Sequence, residues 1–186
     1  MTRDAIVMPL KRFDVAKDRL RQAGAVDVTQ LAEDLALGVL RSCRPRHVVV
    51  LSESDEISQF AVAHGAEAWR SQARSLNEAV QGAYAALRDR FDRLLIVHGD
   101  LASPEGLGQF QPGPGITIIA DRHRAGTNVL VVPTGLDFHF AYGPDSMRLH
   151  QAEAERLGVL WRVIDDSPWR FDVDDPSDLK QHPDSI

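Results

Sequence analysis

Three groups of charged side chains have the types and spacing to act on phosphate. Lys11, Lys17 and Arg19 lie in Pro9-Leu10-Lys11-Arg12-Phe13-Asp14-Val15-Ala16-Lys17-Asp18-Arg19-Leu20, directly after an apolar run at 5–9. Ammonium and guanidinium groups there could neutralise a triphosphate, although a solvated basic turn would have the same composition. Asp100 follows a second apolar run at 94–97 through His98 and Gly99. Asp172 and Asp174 are separated by one residue, and the segment 170–173 reads as a strand. In a strand, residues i and i+2 project to one face, so both carboxylates could converge on one cation. Two or three carboxylates together with phosphate oxygens are the hard donors that Mg²⁺ selects. Acidic residues ahead of Pro176 also suit a helix N-terminus. That capping role is assigned to Asp175, and the cation role to Asp100, Asp172 and Asp174.

A fourth group is uncharged. Gly126-Thr127-Asn128 and Phe140-Ala141-Tyr142-Gly143-Pro144-Asp145-Ser146 supply small residues and hydroxyls whose backbone N–H groups could approach an anion. Ser146 would open a helix, where the first N–H groups favour negative charge; ordinary turn chemistry explains the same residues. The seven histidines include no close pair at metal-ligand spacing. His98, beside Asp100, and His150 are the two near candidate site residues.

These groups need a scaffold that brings distant positions to one edge. Apolar runs at 5–9, 47–51, 94–97 and 116–120 read as strands covered on both faces, because they lack strict alternation. Between them Leu31, Leu35, Val39 and Leu40 fall at helical spacing, as do Val80, Ala83, Tyr84 and Leu87. The fold class is α/β, with a mixed, mostly parallel sheet flanked by helices, in a single domain over 1–186. The stretch 127–165, with a strand at 128–132 and a helix at 145–157, reads as an insertion that walls a site. In such sheets ligands bind beyond the carboxyl ends of the strands, where the basic loop and Asp100 would lie.

With 186 residues, 44% of them apolar, the chain can bury one substantial core. Its net charge of −6 gives no global positive field for nucleic acid or an anionic membrane, while leaving room for a small phosphorylated substrate in a locally basic cleft. Cys43 is the one cysteine, which excludes an intrachain disulfide and a cysteine zinc site, and it reads as an apolar filler at a helix end. The absence of a signal-peptide pattern or a run long enough to span a bilayer places the protein in the cytoplasm as an expectation.

The order of the motifs is more specific than any one of them. Pro9-Leu10-Lys11 with Ala16-Lys17-Asp18-Arg19-Leu20, Ser75-Leu76-Asn77-Glu78-Ala79, Gly99-Asp100-Leu101, Asp121-Arg122-His123 with Gly126-Thr127-Asn128, the 140–146 segment with His150 and Ala154, and Asp172-Val173-Asp174-Asp175-Pro176-Ser177-Asp178-Leu179 follow one another along nearly the whole chain. In this the chain resembles the guanylyltransferases of coenzyme F420 biosynthesis, within the nucleotidyltransferases of glycosyltransferase-A-like, Rossmann-like fold. The resemblance implies Mg²⁺, as two ions, on Asp100, Asp172 and Asp174. It implies a phosphate role for Lys17, which with Asp100 forms the catalytic pair. Lys11, Arg19, Ser75 and Asn77 would lie by the nucleotide, and Thr127, Gly143 and Ser146 would hold the carboxylate end of the acceptor.

The implied partners are GTP and a small phosphorylated acid, with phosphoenolpyruvate and 3-phospho-D-glycerate ranked ahead of 2-phospho-L-lactate. A homodimer and a passing contact with the next transferase of the pathway are compatible with it. The chain departs from the family pattern at Ala102, where relatives carry proline, at Tyr142, where phenylalanine is common, and at His98. The competing readings are another nucleotidyltransferase or a glycosyltransferase on the same fold, and a non-catalytic nucleotide-binding module. The module would keep the fold and lose the metal, and the presence of all three aspartates argues against it.

Overall fold

A computed structural model describes residues 3–25 and 27–181. His182 lies outside the described residues. Seven strands form one sheet in the order β3-β2-β1-β4-β6-β5-β7. They are β1 (Asp4–Pro9), β2 (His47–Ser52), β3 (Glu67–Arg70), β4 (Arg93–Val97), β5 (Ile116–Ala120), β6 (Thr127–Pro133) and β7 (Trp161–Val163). Four pairings are parallel, β1 with β2 and β4, β2 with β3, and β5 with β7. Strand β6 runs antiparallel to both β4 and β5.

The near-continuous apolar runs follow from burial on both faces. In β1, Ile6 and Met8 face one layer with Val48, Val50, Leu95 and Val97, against the helices α2 (Val28–Ser42) and α3 (Asp55–Ala63). Ala5 and Val7 face the other with Val49, Leu51, Leu94 and Ile96, against α4 (Leu76–Leu87) and α5 (Ser146–Arg156). Cys43 ends α2 fully buried, the apolar filler expected, and burial pushes its thiol up to about 12. Among the described residues, no helix is long and apolar enough to cross a membrane.

Register decides what meets at the functional edge. Chain direction reverses its lateral course at β1, with β2 on one side and β4 on the other, which is the switch point where an open α/β sheet leaves a crevice. Val97 pairs with Val129, so the start of β6 stands beside the carboxyl end of β4. Thr127 and Asn128 thereby join the loops that follow β1 and β4. Of the stretch 127–165, β6 and β7 are built into the sheet, and the loop before α5 is the part that reaches over this edge.

One strand expectation is corrected. Residues 170–173 form no strand: Ser167 caps a 3-10 turn over Pro168–Arg170, its Oγ accepting the Trp169 N–H at 3.2 Å. After it the chain makes a single antiparallel bridge, Leu101 with Asp172, held by Ala102 N–H to Phe171 O (2.8 Å) and Val173 N–H to Asp100 O (3.0 Å). The bridge stops there because α6 (Pro176–Gln181) begins four residues on.

Candidate active site

The loop after β1 brings Lys17 into the crevice. Lys17 adopts a left-handed backbone (φ 62°), uncommon for a residue with a side chain, immediately before α1 (Asp18–Gln22). Arg21 stabilises the turn: its guanidinium donates to Ala16 O (3.0 Å), Phe13 O (2.7 Å) and Thr29 Oγ1 (2.9 Å). The Lys17 side chain is 5% exposed, and its ammonium binds Asp100 Oδ2 closely and Asp174 Oδ1 at 2.9 Å. Burial opposes the ammonium charge, yet the two carboxylates outweigh it and raise the Lys17 pKa. Burial likewise would raise the Asp100 carboxyl, but Lys17, aided by His98, holds it below its ordinary value.

Asp172 does not touch the lysine. Asn128 Nδ2 donates to its Oδ1 at 3.4 Å and to Trp169 O at 3.1 Å. Burial, then the like charges of Asp100 and Asp174, push the Asp172 carboxyl up to about 6. One ammonium, bonded to Asp100 and Asp174, thus stands among three carboxylates, and Asp100 Oδ1 is buried with no hydrogen-bond partner. These are hard oxygen donors short of positive charge, so the donor chemistry fits a divalent cation. They do not form a finished cage: among the described residues, no three carboxylate, imidazole or thiolate groups are arranged to hold a metal ion.

Asp178 sets the backbone of the last motif. Its Oδ2 accepts the N–H groups of Asp174 (2.8 Å) and Asp175 (2.9 Å), and its Oδ1 meets Arg122 from the β5–β6 loop. Asp175 caps α6 as expected, accepting the Ser177 N–H at 2.8 Å, with Pro176 in the first helical position. Arg21, Asn128, Arg122 and Asp178 received no role from the sequence. Asn128, Arg122 and Asp178 stood in motifs already singled out, while Arg21 carried no pattern that marks it.

The uncharged group does assemble. Thr127 and Ser146 are buried side by side, Ser146 Oγ lying 3.4 Å from Thr127 Oγ1, and His150 Nδ1 lies 3.1 Å from the same oxygen. The Ala141 N–H donates to His150 Nε2 at 3.1 Å, so the neutral ring carries its proton on Nδ1 and donates to Thr127. Burial, with His98 adding to it, lowers the His150 pKa to about 4 and keeps the ring neutral. Three polar hydrogens then serve two hydrogen bonds, which leaves one hydroxyl hydrogen uncommitted within this cluster. The helix terminus contributes less than expected: Ser146 N–H donates to Gly143 O and Met147 N–H to Ala125 O, so the first amides of α5 are engaged within the chain. Gly143 has φ 129° and open space where a Cβ would stand, a conformation suited to glycine.

Other expected residues are placed differently. Ser75 caps α4, its Oγ accepting the Glu78 N–H at 3.2 Å. Asn77 spends its amide on Tyr142, accepting its N–H at 2.6 Å and donating to its carbonyl at 3.0 Å. The clamp positions the Tyr142 ring between His98 (centroids 5.7 Å) and His150 (4.8 Å). Lys11 and Arg19 are exposed and make no ion pair among the described residues, so the structure does not bring them to the carboxylates.

A switch-point crevice with a lysine among carboxylates, on this sheet, defines a protein of the nucleotidyltransferase fold. A nucleotidyl transferase from Methanothermobacter thermautotroptrophicus matches it with a TM-score of 0.66 at 16% identity, over 99% of this chain and 97% of that one. A 4-diphosphocytidyl-2C-methyl-D-erythritol synthase matches with 0.66 at 15% identity, over 97% of each chain. The chain belongs to the family described as guanylyl transferase CofC like, whose model matches residues 4–182. Among its relatives, the phosphoenolpyruvate guanylyltransferase of Sphaerobacter thermophilus is 33% identical over 94% of this chain and 90% of its own. The 3-phospho-D-glycerate guanylyltransferase of Colwellia psychrerythraea is 27% identical over 96% and 90%.

Proposed function

We propose that this protein transfers the guanylyl group of GTP to a small phosphorylated acid, phosphoenolpyruvate or 3-phospho-D-glycerate, as a step in coenzyme F420 biosynthesis. The single observation that supports this best is the juxtaposition of Lys17, Asp100 and Asp174 with the Thr127–Ser146–His150 cluster at one sheet edge. One end handles polyphosphate charge and the other offers a hydroxyl hydrogen to a carboxylate.

An acceptor phosphate oxygen forms a new bond to the α-phosphorus as the bond from that phosphorus to the β-phosphate oxygen breaks, and pyrophosphate leaves. The attacking oxygen is already ionised near neutral pH, so no side chain has to remove a proton. The protein's task is to hold two polyanions together and to stabilise the leaving charge. Lys17 supplies a compact positive charge on a flexible stem; Thr127 and Ser146 fix the acceptor's far end; Asn77 and His150 pin the backbone of Ala141 and Tyr142 beside them. Asp100, Asp172 and Asp174 would hold Mg²⁺, which when bound neutralises phosphate charge and polarises the α-phosphorus.

The test is purified protein with GTP, Mg²⁺ and each acid in turn, with ATP, CTP and UTP as controls. A diphosphate-bridged guanosine adduct identified by mass, with equimolar pyrophosphate, is expected for at least one acid. Turnover with CTP in preference to GTP, or no adduct with phosphoenolpyruvate, phosphoglycerate or phospholactate, would overturn the reading.

A further inference from the structure

We propose that the Lys17 ammonium is a displaceable counter-ion. It occupies the seat between Asp100 and Asp174 in the ligand-free protein and moves to the triphosphate once both a divalent cation and the nucleotide have arrived, so that these two ligands bind with positive coupling. This rests on the nucleotidyl-transfer reading and deepens it.

The seat is an ammonium site only in part. Lys17 bonds one oxygen of Asp100 and one of Asp174, while Asp100 Oδ1 has no partner and Asp172 is held off the lysine by Asn128. One positive charge among three carboxylates leaves the cluster under-neutralised, and hard oxygen donors prefer a small divalent ion to an ammonium. The side chain suits displacement as well. An ammonium is a compact charge with three donors on four rotatable carbons, unlike the planar fork of arginine, which would be fixed by two-pronged bonding. The backbone beneath it is anchored: the Arg21 N–H donates to Lys17 O at 3.1 Å, and the Arg21 guanidinium ties the preceding turn. Lys17 can therefore change rotamer without moving its loop.

Coupling follows from burial. The Lys17 side chain is 5% exposed, so its ammonium does not leave two carboxylates for bulk water at little cost. It needs another anion, and the triphosphate is the one at hand. The carboxylates, in turn, do not release the ammonium without a replacement charge. Each ligand removes the obstacle to the other, and linkage makes the effect reciprocal.

Mn²⁺ titrated into the protein and followed by the electron paramagnetic resonance of the free ion reads the seat without turnover. The proteins are wild type, Lys17→Met and Lys17→Gln, each checked for an unchanged circular dichroism spectrum, with and without a non-hydrolysable GTP analogue and against the analogue alone. Without nucleotide, at least one folded variant should bind Mn²⁺ at least tenfold more tightly than wild type. The analogue should tighten Mn²⁺ binding to wild type by a factor at least tenfold greater than in that variant. A second readout is the lysine ammonium resonance of Lys17, identified by its loss in Lys17→Met, which should shift when Mg²⁺ and analogue are both present and not with either alone. Equal Mn²⁺ affinities, an equal coupling factor, or a resonance unmoved by both ligands would overturn the displacement. Absence of Mn²⁺ binding by every protein, even with the analogue, would remove the carboxylate cation site and this inference with it, while adduct formation would still judge the guanylyl transfer independently.

Discussion

Replacing His150 by glutamine tests whether a neutral, buried imidazole organises the acceptor end of the site. His150 is fully buried and makes two hydrogen bonds, to Thr127 Oγ1 and from the Ala141 N–H. Glutamine keeps polarity but cannot hold both with ring geometry, so about 2–3 kcal/mol of stability should be lost at pH 7.5. The pH dependence is more diagnostic than the loss itself. The His150 pKa falls from 6.5 to about 4 on folding, so its contribution is fully present above pH 6.5 and is lost as pH falls toward 4. Linkage with those values costs wild type about 2 kcal/mol between pH 7.5 and pH 5, and costs the variant nothing from this site. Asp172 works in the opposite sense, since its pKa rises to about 6 on folding, but it titrates in both proteins and cancels in their difference. The expected result from urea unfolding is therefore a gap between wild type and His150→Gln that narrows by about 2 kcal/mol from pH 7.5 to pH 5, at unchanged m. A gap constant across that range would refute the neutral buried ring. A KM for the acceptor raised more than the KM for GTP would accompany it if the ring positions Thr127.

Asp172→Asn should abolish most turnover while raising the melting temperature by about 2–4 °C, because the ionised carboxylate at neutral pH is held against burial and two like charges; a lower melting temperature in differential scanning calorimetry would contradict that charge balance. Asp178→Ala leaves the Asp174 and Asp175 N–H groups and Arg122 without their shared acceptor, and should cost about 3 kcal/mol in denaturant titrations and at least tenfold in kcat. Gly108→Ala would set a Cβ 1.8 Å from the Arg44 carbonyl oxygen, a backbone atom, and should destabilise by about 3 kcal/mol. Gly99→Ala clashes only with the end of the Leu10 side chain, at 2.3 Å, and should cost about 1 kcal/mol while lowering activity through the loop that Leu10 begins. Equal unfolding midpoints for the two alanine variants would refute this ranking.

The sequence by itself determined the class of fold and much of the chemistry. Buried strands such as β1 and β4 announce themselves because both faces are covered, and α2 and α4 do so because one face is; each signal is local and survives without knowledge of neighbours. Lys17, Asp100 and Asp174 were legible as candidates from residue type and position, and the order of motifs gave the family. Local signals failed where an element depends on what lies beside it. Strands β3 and β7 have four and three residues, and neither has a fully buried core of its own. Residues 170–173 carry strand-like side chains, yet after one bridge they find no continuing partner. Side-chain roles were decided at still longer range. The Asn77 amide is used on Tyr142, 65 positions away, and the Lys17 ammonium meets Asp174 across 157. Periodicity reports which face of an element is apolar, but only the register of β1, β4 and β6 determines which loops share an edge, and so which charges must neutralise one another.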